Sequence, residues 1–103
     1  MAEFHRTVTK ESIPVGRCQR VEINGLGIGL FHLDDGVFAI DDMCTHAEAS
    51  LCDGDIEGGE VLCPLHFATF DIRTGECTGP PADEDVRTYP VRISDDGVIE
   101  VEV

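Results

Sequence analysis

Two short segments of the sequence carry residues that could bind a metal. The first is Cys44-Thr45-His46 and the second is Cys63-Pro64-Leu65-His66, with sixteen residues between His46 and Cys63. Each segment offers one thiolate and one imidazole, in the same order. Thiolates are soft ligands and imidazoles are borderline ones, so these two matched pairs predict a metal centre with four protein ligands.

The order of the ligands bears on which metal is bound. Structural zinc sites with two Cys and two His usually draw like ligands from each segment, Cys with Cys and His with His. Here each segment is mixed, which fits a centre that takes both Cys on one metal ion and both His on another. A 2Fe-2S cluster in which two His replace two Cys on one iron has this arrangement. A mononuclear zinc site is the alternative.

The rest of the chain is predicted to form short strands that position these segments. The predicted strands are residues 4–9, 17–23, 28–33, 37–40, 60–62, 67–72, 86–93 and 98–103. Asn24-Gly25 is a strong hairpin signal, and residues 10–13 and 47–51 could each form a single helical turn. Many short strands with Gly and Asp turns predict an all-β fold, a small antiparallel β sandwich or barrel, with the ligand segments as loops at one end.

The composition limits the class of protein and its partners. At 103 residues the chain is expected to form one domain, whose small core gains from a bound metal. Its formal net charge of −14 disfavours nucleic acid and anionic membranes, and favours basic patches on protein partners. Because no apolar run could span a bilayer and no signal-peptide pattern is present, we expect a cytoplasmic protein. The odd count of five Cys fits that reducing compartment.

The ligand segments and their surroundings resemble the Rieske family, in particular the soluble ferredoxins of bacterial aromatic-ring-hydroxylating dioxygenases. Further landmarks of the resemblance are Gly36-Val37-Phe38-Ala39-Ile40, Asp53-Gly54, Phe70-Asp71-Ile72-Arg73-Thr74-Gly75, Gly79-Pro80-Pro81 and Tyr89-Pro90-Val91. The resemblance implies one Rieske-type 2Fe-2S cluster per chain, with Cys44 and Cys63 on the inner iron and His46 and His66 on the outer iron. It also implies a single Rieske domain over residues 1–103, with 42–80 as its cluster-binding part and a third loop at Pro80-Pro81 over the cluster.

The resemblance also implies a function. Such a ferredoxin is a one-electron carrier between a flavoprotein ferredoxin reductase and a terminal ring-hydroxylating oxygenase in the breakdown of aromatic compounds, and it is not catalytic on its own. Because its contacts are transient, we expect a monomer. The alternatives are the Rieske small subunit of an assimilatory nitrite reductase and an electron donor to another oxygenase. The Rieske domain of an oxygenase itself would need a catalytic domain in addition to these residues.

Two departures from the respiratory branch of that family predict a low reduction potential. The disulfide that joins the ligand loops there is missing, since Ala49 and Leu65 occupy the positions of its two Cys. The Ser and Tyr hydroxyls that bond cluster sulfurs there are replaced by Ala68 and Phe70. Because such hydrogen bonds favour the reduced, more negative cluster, we expect a potential near the low end of the Rieske range, about −150 mV.

Five other Cys and His residues need an interpretation. Cys18, Cys52 and Cys77 are interpreted as small, partly buried hydrophobic residues without a ligand or redox role. His5 and His32 lie on predicted strands without the spacing of ligands, and both are interpreted as surface residues.

Leu65 and Phe67 flank the predicted ligand His66. In one interpretation the two side chains pack the ligand loop. In the other they form an apolar collar on which a partner docks, because exposed apolar groups near a polar centre often mark interfaces.

Overall fold

The computed structural model describes residues 3–45, 48–65, 67–80 and 84–103, and it confirms the prediction of an all-β chain. The strands of these ranges are β1 (Phe4–Thr9), β2 (Arg17–Ile23), β3 (Leu26–Leu33), β4 (Gly36–Asp41), β5 (Ile56–Glu57), β6 (Glu60–Leu62), β7 (Thr69–Asp71), β8 (Cys77–Gly79), β9 (Thr88–Tyr89), β10 (Val91–Ile93) and β11 (Val98–Glu102). Their helical elements are two 3-10 turns, Lys10–Ser12 and Leu51–Asp53. Within the same ranges, no helix has the length and apolarity needed to cross a bilayer.

The strands form three antiparallel sheets, with the orders β1-β11-β10, β2-β3-β4-β9 and β5-β6-β7-β8. The hairpin predicted at Asn24-Gly25 is confirmed, since Ile23 of β2 pairs with Leu26 of β3. Both turn residues have positive φ, 52° for Asn24 and 81° for Gly25, as a two-residue hairpin turn of this kind requires. The predicted strands 86–93 and 98–103 also pair, through β10 and β11.

Strand β3 contributes to two hydrophobic cores, because successive side chains of a strand point to opposite faces. Ile28 and Leu30 pack in a core shared with β11, whereas Phe31 packs in a second core shared with β6 and β7. All three residues are fully buried. The second core includes Cys44 and Cys63, so it connects the β2-β3-β4-β9 sheet to these two predicted ligands.

The predicted strand 86–93 consists of two strands in different sheets, β9 and β10. Pro90 lies between them and has no N–H to donate to a ladder, so the chain leaves one sheet and joins another at this point. Strand β9 pairs with β4, and β10 pairs with β11. Strands β5 and β8 were not predicted from the sequence, since elements of two or three residues carry too little periodicity.

Candidate metal centre

The first ligand loop, residues 44–49, follows β4 and folds back on itself. Met43 and Ser50 form an isolated antiparallel bridge at its base. Inside the bridge, the Cys44 N–H donates to the Ala49 carbonyl at 3.0 Å. Cys44 is only 3 % exposed, so its thiol points toward the core and away from solvent.

The second ligand loop, residues 63–68, is the turn of the β6–β7 hairpin. The strand ladder continues up to the pair of Leu62 with Thr69, directly at the base of the loop. The Cys63 N–H then donates to the Ala68 carbonyl at 2.7 Å. Phe67 adopts a left-handed φ of 59°, which lets so short a loop reverse direction. Cys63 is fully buried.

The two loops share one local design and bring their thiols together. In each loop the N–H of the Cys donates to the carbonyl of an Ala five residues later. Burial raises the pKa of the Cys63 thiol, and the neighbouring Cys44 thiol adds to the rise, whereas a hydrogen bond from the Leu65 backbone opposes it. This contact with Cys44 shows that the two thiols are neighbours in the same core. Because a metal ion stabilises a thiolate, its charge would reverse the effect of burial.

The two imidazole ligands of the predicted set, His46 and His66, lie outside the residues that the structure describes. Pro81, part of the predicted third loop, lies outside them as well. The chain that follows this loop contacts the first ligand loop, since the Thr45 hydroxyl donates to the Glu84 carbonyl at 2.9 Å. The position of the third loop over the cluster stays a prediction.

Three apolar residues beside the two Cys are exposed to solvent. Met43 is 56 % exposed, Leu65 45 % and Phe67 67 %. Side chains that packed the loops would be buried, so the exposure of Leu65 and Phe67 favours the interpretation as a collar. We call Met43, Leu65 and Phe67 the apolar collar.

Cys18 and Cys52 form a disulfide, so the interpretation of both as unpaired hydrophobic residues is wrong. The bond joins β2 to the 3-10 turn Leu51–Asp53, which follows the first ligand loop, with the two Cα atoms 5.2 Å apart. Gly29 of β3 leaves room for it, because a Cβ there would lie within 3.2 Å of both sulfurs. The odd number of Cys therefore gives no argument for a reducing compartment. Cys77 agrees with its interpretation as a partly buried residue.

His5 and His32 have no ligand partners in the part of the chain that is described. The Nδ1 atom of His32 lies 2.5 Å from the Ile13 carbonyl oxygen, which makes this half-buried residue a tether between a loop and β3. His5 lies half-buried on β1, opposite Val101. The described ranges contain no group of three or more His, Cys, Asp or Glu residues that could hold a metal.

Comparison with known sequences agrees with the predicted family. The model of the Rieske [2Fe-2S] domain matches residues 3–90. A curated relative from a Ralstonia species is the ferredoxin component of the naphthalene 1,2-dioxygenase/salicylate 5-hydroxylase systems. It is 41 % identical over 83 residues, which cover 81 % of this chain and 80 % of the relative.

Solved structures share the fold over almost the whole chain. The ferredoxin of carbazole 1,9a-dioxygenase from Nocardioides aromaticivorans IC177 has a TM-score of 0.90 and 33 % identity, with 95 % of each chain covered. A chain from a complex of reduced oxygenase and oxidised ferredoxin in carbazole 1,9a-dioxygenase has a TM-score of 0.89 and 25 % identity, covering 95 % of this chain and 91 % of that one. The putative NADH-dependent nitrite reductase small subunit from Mycobacterium tuberculosis has a TM-score of 0.87 and 26 % identity, covering 100 % and 96 %.

Proposed function

Because this chain belongs to the Rieske [2Fe-2S] family, we propose that it is the ferredoxin component of an aromatic-ring-hydroxylating dioxygenase system. It carries single electrons from a flavoprotein ferredoxin reductase to a terminal oxygenase, and it is not catalytic on its own. The observation that carries this proposal is the pair of matched loops that bury Cys44 and Cys63 side by side in one core.

The described residues fit the Rieske-type 2Fe-2S cluster that the family match confirms as the cofactor. Two buried thiols from separate loops lie beside each other, and a bound metal would favour the thiolate form that burial disfavours. In the proposed assignment, Cys44 and Cys63 hold the inner iron, and His46 and His66 hold the outer iron. When bound, the cluster supplies a one-electron redox couple.

The side chains around Cys63 support a low reduction potential. Ala68 and Phe70 are fully buried in the same core as Cys63, and neither offers a hydroxyl to a cluster sulfur. We therefore propose a potential of about −150 mV, at the low end of the Rieske range. Film voltammetry of the purified protein measures it directly, and a value above zero would contradict the proposal.

The apolar collar is the proposed docking surface for the partner proteins. Apolar residues that stay exposed beside a redox centre can pack against a partner when the complex forms. The net charge of −14 would steer the protein toward basic surfaces on its partners and raise the rate of association. In the proposed assignment, electrons would leave through the ligands of the outer iron, His46 and His66.

The docking proposal is tested by Phe67→Ala, with Val15→Ala as the matched control. Both residues are more than half exposed, but Val15 lies in the loop before β2 and outside the collar. Phe67→Ala is expected to raise the apparent KM of the oxygenase for this protein about tenfold, with an unchanged reduction potential, because it removes contact area from one interface residue. Equal KM values for the two variants would contradict the proposal.

The remaining features of the proposal concern organisation and location. We propose a monomeric cytoplasmic protein whose residues 1–103 form one Rieske domain. Residues 42–80 would be its cluster-binding part, and this range contains both ligand loops and the β5-β6-β7-β8 sheet. Sedimentation of the holoprotein tests the monomer, and a concentration-dependent mass would contradict it.

A second candidate function is the small subunit of a nitrite reductase, which the similarity to the Mycobacterium tuberculosis structure favours. Co-purification distinguishes the two. Affinity purification of the tagged chain from its own cells is expected to recover a flavoprotein reductase and a terminal oxygenase. Recovery of a nitrite reductase large subunit instead would replace the first proposal with the second.

A further inference from the structure

Asp42 lies between the end of β4 and Cys44, and it is a buried carboxylate that is not among the proposed ligands. It is 3 % exposed. Its Oδ1 atom accepts hydrogen bonds from the Ser50 hydroxyl at 2.8 Å and from the Cys52 N–H at 3.1 Å. Its main-chain carbonyl accepts the Leu51 N–H at 2.7 Å. Asp42 therefore joins the chain that enters the first ligand loop to the chain that leaves it.

The second carboxylate oxygen of Asp42 pairs with Arg20 of β2. The Arg20 Nε atom lies 3.1 Å from Asp42 Oδ2, in a pair whose arginine is half exposed and whose carboxylate is almost fully buried. The guanidinium lies against Gly27 of β3, where a Cβ would come within 2.9 Å of the Arg20 Nη2 atom. Gly27 also accepts the Asp42 N–H through its carbonyl at 3.0 Å. The absence of a side chain at Gly27 thus leaves the space that Arg20 needs to reach Asp42.

Among its described residues, the first ligand loop has fewer strand pairs at its base than the second loop. Its base consists of the isolated bridge of Met43 with Ser50, whereas the second loop sits on a continuous strand ladder. Hydrogen bonds to an ionised carboxylate are shorter and stronger than those between neutral groups. Asp42 supplies two such bonds to the returning chain, in the place where a ladder would otherwise continue.

We propose that the Arg20–Asp42 pair positions the first ligand loop and tunes the reduction potential of the cluster held there, an inference that rests on the proposed function. Asp42 lies two residues before Cys44 in the sequence, and burial limits the hydration of its charge. A poorly hydrated negative charge disfavours the addition of an electron nearby, and the positive charge of Arg20 offsets this effect. The two residues therefore act on the potential in opposite directions, although both hold the same loop.

The test compares Asp42→Asn and Arg20→Gln with the wild-type holoprotein by film voltammetry. Asp42→Asn keeps an oxygen that can accept the bonds from Ser50 and Cys52 but removes the charge, so the potential is expected to rise. The expected size is up to about tenfold in the redox equilibrium constant, or 59 mV for one electron. Arg20→Gln leaves the Asp42 charge without its counterion, so the potential is expected to fall.

Arg92→Gln is the matched control, since Arg92 of β10 also pairs with a largely buried carboxylate, that of Glu100, outside both ligand loops. The reduction potential of the Arg92→Gln variant is expected to equal that of the wild type. Shifts of the same sign in Asp42→Asn and Arg20→Gln, or shifts no larger than in this control, would overturn the inference. If the wild type shows no one-electron wave, the proposed function fails and the inference fails with it.

A second measurement separates the effect on the position of the first ligand loop from the effect of the Asp42 and Arg20 charges. The rate at which a chelator removes iron from the oxidised protein is expected to increase several-fold in Asp42→Asn and Arg20→Gln, but not in Arg92→Gln. Ser50→Ala removes one bond to the carboxylate and keeps its charge, so it should speed iron loss while leaving the potential unchanged. This variant also serves if Asp42→Asn does not fold. Iron loss at the wild-type rate in Ser50→Ala would contradict the positioning role.

Discussion

The two ligand loops have the same local geometry, but different parts of the chain support them. In each, the N–H of the Cys closes the loop on the carbonyl of an Ala. The second loop stands on the β6–β7 ladder, so residues close in sequence hold it. The first loop stands on one isolated bridge and on side chains from β2, through the Arg20–Asp42 pair and the Cys18–Cys52 disulfide.

This difference shows that the geometry of a metal site can be repeated without repeating the structure that supports it. A hairpin ladder fixes a turn through main-chain bonds that every residue except proline can make. The first loop lacks such a ladder, so its position depends on particular side chains, and single substitutions should disturb it more selectively. Four predictions test the comparison, from the largest expected effect to the smallest.

The largest effect is expected where the two loops are equivalent, at their buried Cys residues. Cys44→Ala and Cys63→Ala should each abolish stable binding of the cluster, because either change removes one of the two thiolates that hold the inner iron. Iron and sulfide content per chain after anaerobic reconstitution measures the loss. Cys77→Ala, a change of the same type outside both loops, should retain the wild-type content. A full complement of iron in Cys44→Ala or Cys63→Ala would show that the assignment of ligands is wrong.

The next effect concerns the disulfide, which supports the first loop but not the second. The double variant Cys18→Ala and Cys52→Ala should lower the free energy of unfolding by about 3–4 kcal/mol, the chain-entropy value for a sequence separation of 34. Guanidinium denaturation measures the total loss. Hydrogen exchange locates it, since protection of the Cys44 amide should fall more than protection of the Cys63 amide. Equal losses at the two amides would contradict the difference in support between the loops.

A smaller effect is expected from a hydroxyl introduced beside Cys63. Ala68→Ser adds one at a fully buried position, where a hydrogen bond to sulfur of about 1 kcal/mol would raise the potential by roughly 40 mV. Ala49→Ser is the control, because Ala49 occupies the same position in the first loop but is only half-buried. Film voltammetry compares them, and a larger rise in Ala49→Ser would reverse the expected order of the two loops.

The smallest effect is expected at alkaline pH, where β4 leads into the first loop. The Tyr89 hydroxyl donates to Asp41 Oδ1 at 2.5 Å, and burial followed by this bond raises the pKa of Tyr89 from 10.0 to about 12. The pKa of Tyr89 is higher in the folded state than in the unfolded state. The stability that the bond contributes is therefore fully present below pH 10 and is lost as the pH rises toward 12.

Tyr89→Phe removes both the bond and its pH dependence. It should lower the free energy of unfolding by about 0.5–1 kcal/mol at neutral pH, since Asp41 keeps its hydrogen bond from the Arg87 N–H when the hydroxyl is removed. Denaturation curves between pH 7 and pH 11.5 measure the difference between the two proteins. That difference should shrink as the pH rises above 10, and a constant difference would contradict the assigned pKa.

The sequence was sufficient to predict those features that depend on local patterns. The segments Cys44-Thr45-His46 and Cys63-Pro64-Leu65-His66 located both loops, and Asn24-Gly25 located a hairpin, because each signal lies within a few residues. The family resemblance then supplied the fold and the cofactor, which the comparisons confirm. The placement of the imidazoles of His46 and His66 as ligands is still a prediction.

The supports of the first loop could not be predicted, because they join residues that are distant in sequence. Cys18 and Cys52 are separated by 34 residues, and only the packing of β2 against the Leu51–Asp53 turn brings them together. Asp42 is one of 21 acidic residues, and its type alone does not distinguish a buried carboxylate from an exposed one. Its position two residues before Cys44 was the one available signal.

The central claim is that the two loops jointly hold a Rieske-type 2Fe-2S cluster that carries single electrons. The most direct measurement is metal and sulfide analysis of the anaerobically purified protein, combined with coulometric titration of the same sample. We expect two iron atoms and two acid-labile sulfides per chain, and the uptake of one electron. One zinc ion per chain, without sulfide and without electron uptake, would contradict it.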